Sequence, residues 1–309
     1  MRAVERYEAR VALLVRVLPH VADESDFALK GGTAINLFHR AMPRLSVDLD
    51  LTFLPIADRE TSLAAIDVGL RRMAAAIERG IPGSHARTVP NVGTGTVTKA
   101  IVQRGRAQVK LEVTPVLRGC VYAPDVREVH PLVERRFGFA RTQLVSFADL
   151  YGGKLVAALD RQHPRDLFDV RELLANEGID ARTRRAFLAY LISHDRPIAE
   201  VLEARPRDLR APFRAEFDGM TVESTTTIDD LAATRTALVR ELVDGMPQPH
   251  RVFLAGFKRG TPDWGLTDIP HIHDLPAVRW KEANLARMTP NERARAVARL
   301  ETVLGLRHR

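Results

Sequence analysis

The chain has 309 residues, a mass of 34.5 kDa and 45% hydrophobic residues, which is ample for a sizeable core and for two domains. Its apolar runs are far shorter than the ~20 residues of a membrane span, and its N-terminal residues mix charges in an amphipathic pattern unlike a signal peptide. One cysteine, Cys120, excludes an internal disulfide, so we expect a cytoplasmic protein with no membrane partner. The formal charge of +7 favours RNA, DNA or nucleotides as partners, although arginine-rich proteins from GC-rich genomes are commonly basic without binding nucleic acid.

Residues up to about 140 alternate between helical and strand patterns. Apolar residues recur first at helical spacing, a glycine turn then opens a short helix that Pro43 ends, and residues 81–95 are turn-rich. We expect helices over 3–19, 31–42 and 57–80, and strands over 46–53, 96–103 and 108–115. This order predicts an α+β or α/β domain, which we place at residues 1–142.

The rest of the chain, residues 143–309, is predicted to be a mostly helical second domain. Ser146 is the expected N-cap of its first helix, with Asp149 in the first turn. Helices are expected over 146–160, 164–176, 181–194, 227–245, 247–258 and 289–304. The segment 205–220 is arginine-rich and weakly patterned, and it is either a solvated loop or part of an RNA contact.

The stretch "PRLSVDLDLTF", residues 43–53, combines a strand pattern with two acids. Alternate residues of a strand share a face, so Ser46, Asp48 and Asp50 are expected to project together. Two carboxylates at this spacing can share one hydrated Mg²⁺ or Mn²⁺, which binds through one or two carboxylates plus substrate phosphates. A solvent-facing strand that happens to carry two acids explains the same pattern.

Neighbouring segments add groups that suit a phosphate. Glycine lets backbone N–H groups approach a phosphate closely, and "KGGT" places such a turn before a helix: Gly31, Gly32 and Thr33. Arg44 lies beside the acids and could contact phosphate, and "VKLEVTP" places Glu112 on a later strand as a candidate third carboxylate. This layout is that of the polymerase-β-like nucleotidyltransferase fold.

Four segments carry a more specific likeness. They are "LKGGTAINLFHRAMPRLSVDLDLTF", "VKLEVTP", "LYGGKLVAALDRQHPRDLFDV" and "PAVRWKEANLARM". In this order they resemble the AbiEii/AbiGii (MenT-like) toxin nucleotidyltransferases of the polymerase-β-like superfamily, over roughly residues 25–300. The resemblance implies an α+β fold, in which a nucleotidyltransferase domain with a mixed sheet precedes a mostly helical C-terminal domain.

The resemblance also implies a function. The chain would be the toxin of a bacterial toxin–antitoxin system, which moves an NMP from an NTP to RNA, most specifically to the 3′ end of tRNA. This transfer would block translation and growth, with a role in phage defence. The cognate antitoxin would carry a DNA-binding domain.

Roles for the N-terminal site residues follow from the same resemblance. Asp48 and Asp50 would bind Mg²⁺ or Mn²⁺, and Glu112 or Asp50 would help remove the proton from the attacking hydroxyl. Ser46 would position a phosphate oxygen. Alternatively, Ser46 is a modification site, because a phosphate there would place negative charge beside two carboxylates and block NTP binding.

Two residues of the second domain complete the expected site. Lys154, which follows the "GG" of "LYGGK", would bind triphosphate as a point charge, and the glycine pair would leave space for the ligand. Asp166 of the "RD" motif would contact the nucleotide or orient Lys154 or Arg165. The expected nucleotide-binding residues are therefore Gly31, Gly32, Thr33, Arg44, Ser46 and Lys154.

Two other functions are compatible with the same sequence. A catalytically inert RNA- or partner-binding module on this fold would bind RNA with a steep salt dependence but would not consume NTP. A small-molecule nucleotidyltransferase would label a drug or metabolite instead of RNA. The basic charge disfavours a cationic aminoglycoside as that small molecule.

Overall fold

The computed structural model describes residues 3–221 and 225–306. The chain divides into two compact units. The first unit comprises Met1–Ser146 and Met220–Ser224, and the second comprises Phe147–Gly219 and Thr225–Arg309. The domain limits at residues 142 and 143 stay a prediction.

A short return segment attaches to the first unit by backbone hydrogen bonds. The N–H of Leu45 donates to the carbonyl of Met220 over 2.9 Å, and Arg44 forms an isolated antiparallel bridge with Thr221. The segment that precedes the two acids is therefore held by chain from much later in the sequence.

The first unit is a sheet against which helices pack. Its helices are α1 (Ala3–Ala22), α2 (Gly31–Ala34), α3 (Arg59–Gly80) and α4 (Pro131–Phe137). A π-helical turn, Ile35–His39, continues α2. Its strands are β1 (Phe27–Lys30), β2 (Asp48–Phe53), β3 (Ser84–Pro90), β4 (Val97–Arg104), β5 (Ala107–Val113), β6 (Asp125–Glu128) and β7 (Arg141–Leu144). Helix α1 packs on β5 and β7, and α3 packs on β3 and β4.

Within the described residues, seven strands form one mixed sheet in the order β3-β4-β5-β2-β1-β7-β6. The pairs β2–β5 and β1–β7 are parallel, whereas the other neighbours are antiparallel. Apolar side chains of the central strands are fully buried, as at Leu29, Leu49 and Leu111. The prediction of an α+β fold with a mixed sheet is confirmed.

Strands β1, β3, β6 and β7 do not follow from the sequence patterns. β1 is four residues long and almost entirely buried, and β6 is entirely exposed, so neither shows an alternation. The interpretation of 81–95 as turn-rich holds at 81–83 and 91–95 but is wrong for Ser84–Pro90, which form β3 and pair with β4. The strand expected from residue 46 begins at Asp48, so Ser46 precedes it rather than belonging to its polar face.

The second unit is helical. Its helices are α5 (Phe147–Asp160), α6 (Pro164–Asn176), α7 (Ala181–Ser193), α8 (Ile198–Glu203), α9 (Arg210–Glu216), α10 (Ile228–Val239), α11 (Gln248–Arg259), α12 (Pro276–Ala286) and α13 (Pro290–Val303). The helix expected over 227–245 is α10 followed by a π-helical turn, Arg240–Asp244. The weakly patterned segment 205–220 contains α9. No helix in the described part of the chain has the length and apolarity to cross a bilayer.

Candidate functional site

The glycine turn after β1 lies directly against three polar side chains of the first unit. Gly31 has φ +74°, and a Cβ there would be 2.6 Å from Asp50 Oδ2. A Cβ on Gly32 would be 2.7 Å from Arg44 Nη2 and 2.9 Å from Ser46 Oγ. A Cβ at either position would force these side chains to shift, and at Gly31 the left-handed φ favours glycine independently. The backbone of the turn therefore faces one acid, one guanidinium and one hydroxyl.

Thr33 and Tyr7 fix the segment that leads into β2. The Thr33 hydroxyl, fully buried, lies 2.5 Å from the Asp48 carbonyl oxygen, to which it donates, and 3.1 Å from Ser46 Oγ. Tyr7 Oη accepts from the Ser46 N–H at 2.6 Å and donates to the Ser46 carbonyl at 3.2 Å. Burial raises the pKa of Tyr7 to about 12, against the opposing effect of its hydrogen bond with Ser46. Two hydrogen bonds between the Ser46 backbone and Tyr7 therefore hold Ser46 in place, although it lies outside the strand.

Asn36 connects the glycine turn to the arginine. Its side-chain amide donates to the Gly32 carbonyl at 2.8 Å and accepts from the Arg44 N–H at 3.4 Å. Arg44 is only 3% exposed, and its Nη1 donates to the Leu45 carbonyl at 2.9 Å. The guanidinium is therefore held in one position next to the turn.

A row of four charged residues, two adjacent acids between two lysines, crosses four neighbouring strands of the sheet. In register, Lys30 of β1 lies beside Asp50 of β2, Asp50 beside Glu112 of β5, and Glu112 beside Lys99 of β4. Lys99 Nζ lies 3.6 Å from Glu112 Oε1. Burial lowers the pKa of Lys30, and the adjacent Asp50 carboxylate opposes this shift. Asp50 and Glu112 are therefore neighbours on adjacent strands, as the sequence predicts.

Lys110 occupies the space between two of the acids. Its Nζ lies 2.7 Å from Glu112 Oε2 and 4.0 Å from Asp48 Oδ2, and the hydrogen bond to Glu112 raises the pKa of Lys110. Burial acts to raise the pKa of Glu112, but its bonds to Lys110 and Lys99 outweigh burial and hold that pKa below the usual range. A carboxylate with a lowered pKa is a weaker proton acceptor.

The donor set at this turn suits a hard divalent cation. Asp48 keeps 41% of its side chain exposed, and Asp50 lies on the same strand face two residues further on. Within residues 3–221 and 225–306, no group of three or more His, Cys, Asp or Glu side chains could hold a metal ion. Two carboxylates without a third protein ligand are the usual protein share of a Mg²⁺ site that is completed by phosphates and water.

The second unit contains a buried ion cluster around Lys154. Lys154 Nζ lies 2.9 Å from Asp166 Oδ1 and 3.0 Å from Asp169 Oδ2, and these three side chains are 9%, 5% and 1% exposed. Arg161 Nη2 contacts Asp166 Oδ2 at 2.8 Å, and 62% of the Arg161 side chain is exposed. Two acids and two cations therefore balance. Arg165 pairs instead with Glu216 at 3.3 Å. Asp166 therefore binds Lys154 and Arg161, and not Arg165.

The glycine pair before Lys154 serves helix packing. A Cβ on Gly152 would be 2.8 Å from the Ala186 carbonyl carbon of α7, and Gly153 lies at ordinary contact distance from Tyr190 of the same helix. The expectation that this pair leaves space for a ligand is wrong, because α7 fills that space.

Sequence patterns missed several residues that the structure places at these two clusters. Lys30 immediately precedes the glycine pair, and Asn36 lies in the same motif, but nothing in a pattern of apolar residues marks either one. Tyr7 and Ser46 are 39 positions apart. Asp169 was recognisable as an acid one helical turn after Asp166, whereas its bond to Lys154 depends on the packing of α5 against α6.

Comparisons with known proteins find one matching family model and several matching structures. The model of the family described as "Nucleotidyl transferase AbiEii toxin, Type IV TA system" matches residues 12–284. A comparison with curated protein sequences gives no match. Among solved structures, MenT4, the nucleotidyltransferase toxin Rv2826c from Mycobacterium tuberculosis H37Rv, superposes with a TM-score of 0.57 at 16% sequence identity, over 92% of this chain and 93% of that chain. At this identity the likeness concerns the fold alone.

Proposed function

Because the chain belongs to the AbiEii nucleotidyl transferase toxin family of type IV toxin–antitoxin systems, we propose that it transfers an NMP from an NTP to RNA, with the 3′ end of tRNA as acceptor. Modified tRNA would no longer serve translation, and growth would stop. The family implies a nucleotide substrate and an antitoxin partner, and we propose that this antitoxin carries a DNA-binding domain. NTP and tRNA are cytoplasmic, which is where we place the reaction.

One observation carries this proposal: the backbone of Gly31 and Gly32 lies directly against Asp50, Arg44 and Ser46, closer than a Cβ would allow without a shift of those side chains. A backbone without side chains, a buried guanidinium and an acid pair together offer every type of group that a metal–triphosphate complex needs. A solvent-facing strand with two acids, the alternative interpretation, would not need a backbone so close to these side chains.

We assign Asp48 and Asp50 to Mg²⁺ or Mn²⁺, and Gly31–Thr33 with Arg44 to the phosphates. A bound divalent ion would neutralise charge on the phosphates and polarise the α-phosphoryl group. Ser46 Oγ, next to the glycine turn, is assigned to a phosphate oxygen. A phosphate added to Ser46 would repel both the acids and the substrate, so Ser46→Glu should abolish NTP binding while Ser46→Ala should retain most of it.

The chemical step needs a proton acceptor and a positioned hydroxyl. The RNA hydroxyl oxygen forms a bond to the α-phosphorus, the bond from that phosphorus to the bridging oxygen breaks, and pyrophosphate leaves with the electron pair. We assign the hydroxyl proton to Asp50 or Glu112, the two carboxylates that lie side by side on neighbouring strands. Glu112 also orients Lys110 and Lys99 beside the acids.

Lys154 and Asp166 of the second unit are assigned by the family motif. A buried ammonium bound to two acids is a fixed point charge, and we propose from the family motif that Lys154 takes part in nucleotide binding. Asp166 is its positioning partner, because Asp166 also binds Arg161 and so fixes both cations.

The experiment is a labelling assay with the pure, folded protein. It is incubated with Mg²⁺, total tRNA and each α-labelled NTP in turn, and the products are separated on a denaturing gel. We expect label on tRNA with at least one NTP. An aminoglycoside replaces tRNA in a parallel reaction, and label on that compound would instead identify a small-molecule transferase.

Two results would remove the proposal. If no acceptor gained label, the chain would be a catalytically inert binding module instead of a transferase. Label that appears equally on tRNA whose 3′-hydroxyl has been removed by periodate oxidation would exclude the 3′ end as acceptor.

A further inference from the structure

Exposed arginines gather in the segment that joins α8 to α9 and in α9 itself. Arg205 and Arg210 have side chains 82% and 72% exposed, and each forms one 3.0 Å contact with a nearby acid. Arg207 and Arg214 are also exposed, and Arg214 lies near enough to Asp208 to contribute, after the hydrogen bonds from Arg210, to the lowered pKa of that acid. The segment therefore presents positive charge to the solvent.

A buried glutamine holds this segment in place. Gln162 is 2% exposed, and its amide donates to the Arg205 carbonyl at 2.9 Å and accepts from the Arg207 N–H at 3.1 Å. Its φ of +53° is left-handed, a conformation that costs a non-glycine residue about 1 kcal/mol. A loop whose only role is to connect two helices does not require a strained, buried clamp.

The clamp also brings the segment close to the ion cluster of the same unit. Gln162 directly follows Arg161, which is exposed and bonded to Asp166. A cavity of about 240 Å³ lies alongside, and its lining includes Asp160, Gln162, Arg196, Arg205, Arg207 and Arg299. We call the four residues Arg161, Arg205, Arg207 and Arg214 the arginine surface.

We propose that the arginine surface binds the phosphate backbone of the RNA acceptor, next to Asp166. Guanidinium groups bind phosphate oxygens in pairs of parallel hydrogen bonds, and such contacts set affinity and register without reading sequence. The acids between these arginines, Glu203 and Asp208, disfavour a compact triphosphate. A phosphodiester chain carries single charges at intervals, and it therefore suits separated arginines better than a triphosphate does. This inference rests on the proposed function for the identity of the RNA.

Binding is measured without catalysis, so that the two proposals can fail separately. Fluorescence anisotropy follows a labelled, periodate-oxidised tRNA, with no NTP present, from 0.05 to 0.3 M KCl. Arg207→Ala/Arg214→Ala should weaken binding about 30-fold near 0.1 M salt and reduce the slope of log K against log salt by about 1.5, because each phosphate contact contributes roughly 0.7–0.9 to that slope. The NTP affinity should stay unchanged.

The matched control is Arg240→Ala/Arg287→Ala, which removes two exposed arginines outside the surface. It should bind RNA nearly as well as the unaltered protein. Gln162→Gly keeps every charge and the left-handed backbone but releases the clamp, and it should weaken RNA binding about threefold with little change of salt slope.

Equal losses in the test and control pairs would overturn the inference, because they would reflect net charge alone. If the test pair lost affinity for a labelled acidic peptide while its RNA binding stayed unchanged, the inference would be overturned in favour of an acidic protein partner. Weakened binding by the test pair, in a protein that transfers no nucleotide, would support the RNA surface while the proposed reaction failed.

Discussion

Replacing Lys154 by Met should destabilise the second unit strongly, whatever its effect on activity. The substitution keeps the length of the side chain but removes the ammonium that lies 2.9 and 3.0 Å from two nearly fully buried carboxylates. Removing one partner of a buried ion pair typically costs about 3–5 kcal/mol, because the remaining charge has neither solvent nor partner. Arg161 still contacts Asp166 in the variant, so we expect the lower end of that range.

Tryptophan fluorescence, followed during urea unfolding for the free energy and during heating for the Tm, measures this effect where it arises. Both tryptophans of the chain, Trp264 and Trp280, lie in the second unit. The loss should appear as a fall of about 6–12 °C in the Tm of that unit, since 1 kcal/mol corresponds to roughly 2–4 °C at this size. Arg287→Met, at an exposed site, serves as control and should change the free energy of unfolding by less than about 0.5 kcal/mol.

A compensating substitution distinguishes charge imbalance from lost packing. Lys154→Met/Asp169→Asn removes one cation and one anion and leaves Asp166 with Arg161, so it should recover more than half of the lost stability. Two results would refute a buried, charge-balanced cluster. In the first, the free energy of unfolding of Lys154→Met lies within about 1 kcal/mol of that of the unaltered protein. In the second, the double variant is no more stable than Lys154→Met alone.

Three further predictions concern other positions. Gly31→Ala should lower the free energy of unfolding by at least about 1–2 kcal/mol, because Gly31 has φ +74° and the new Cβ would lie 2.6 Å from Asp50 Oδ2. The same substitution should lower transfer activity more than tenfold, and unchanged transfer would exclude a tight turn at the substrate. Thr33→Val should cost about 1–3 kcal/mol by calorimetry, since it leaves the Asp48 carbonyl without its buried donor, whereas Thr33→Ser should be tolerated. Burial and a neighbouring lysine lower the pKa of Lys281 from 10.5 to about 8, so between these pH values the unfolded chain binds more protons and stability should rise with pH. Lys281→Met should flatten that rise in Tm, and an unaltered pH profile would contradict the shift.

Local patterns were sufficient for some elements and not for others. Helix α6 begins at Pro164 and has inward Leu167 and Val170, and both features are readable from neighbouring residues. Strand β2 shows its alternation, but its start at Asp48 is set by hydrogen bonds from Thr33 and by the chain's return at Met220, which are distant in sequence. Patterns report local geometry, whereas strand boundaries here depend on long-range partners.

The candidate site divides in the same way. The spacing of Asp48 and Asp50 predicted the strand face that they share, and the composition of "KGGT" predicted the glycine turn. The partnership of Lys30 with Asp50 follows from the register of β1 against β2, and β1 is too short and too buried to be recognised. Lys154 gained its two acidic partners from helix packing, which no single-segment pattern contains.

The most direct test of the account compares transfer of labelled nucleotide to tRNA by the unaltered protein, by Asp48→Asn and by Asp229→Asn. Asp229 is an exposed acid in α10 and controls for loss of one negative charge. Losing a metal-side carboxylate should remove several kcal/mol of transition-state stabilisation, so Asp48→Asn should be at least about 100-fold slower while remaining folded. Asp229→Asn should match the unaltered protein. Transfer by Asp48→Asn at the unaltered rate would contradict the assignment of the glycine turn and its acids as the nucleotidyl-transfer site.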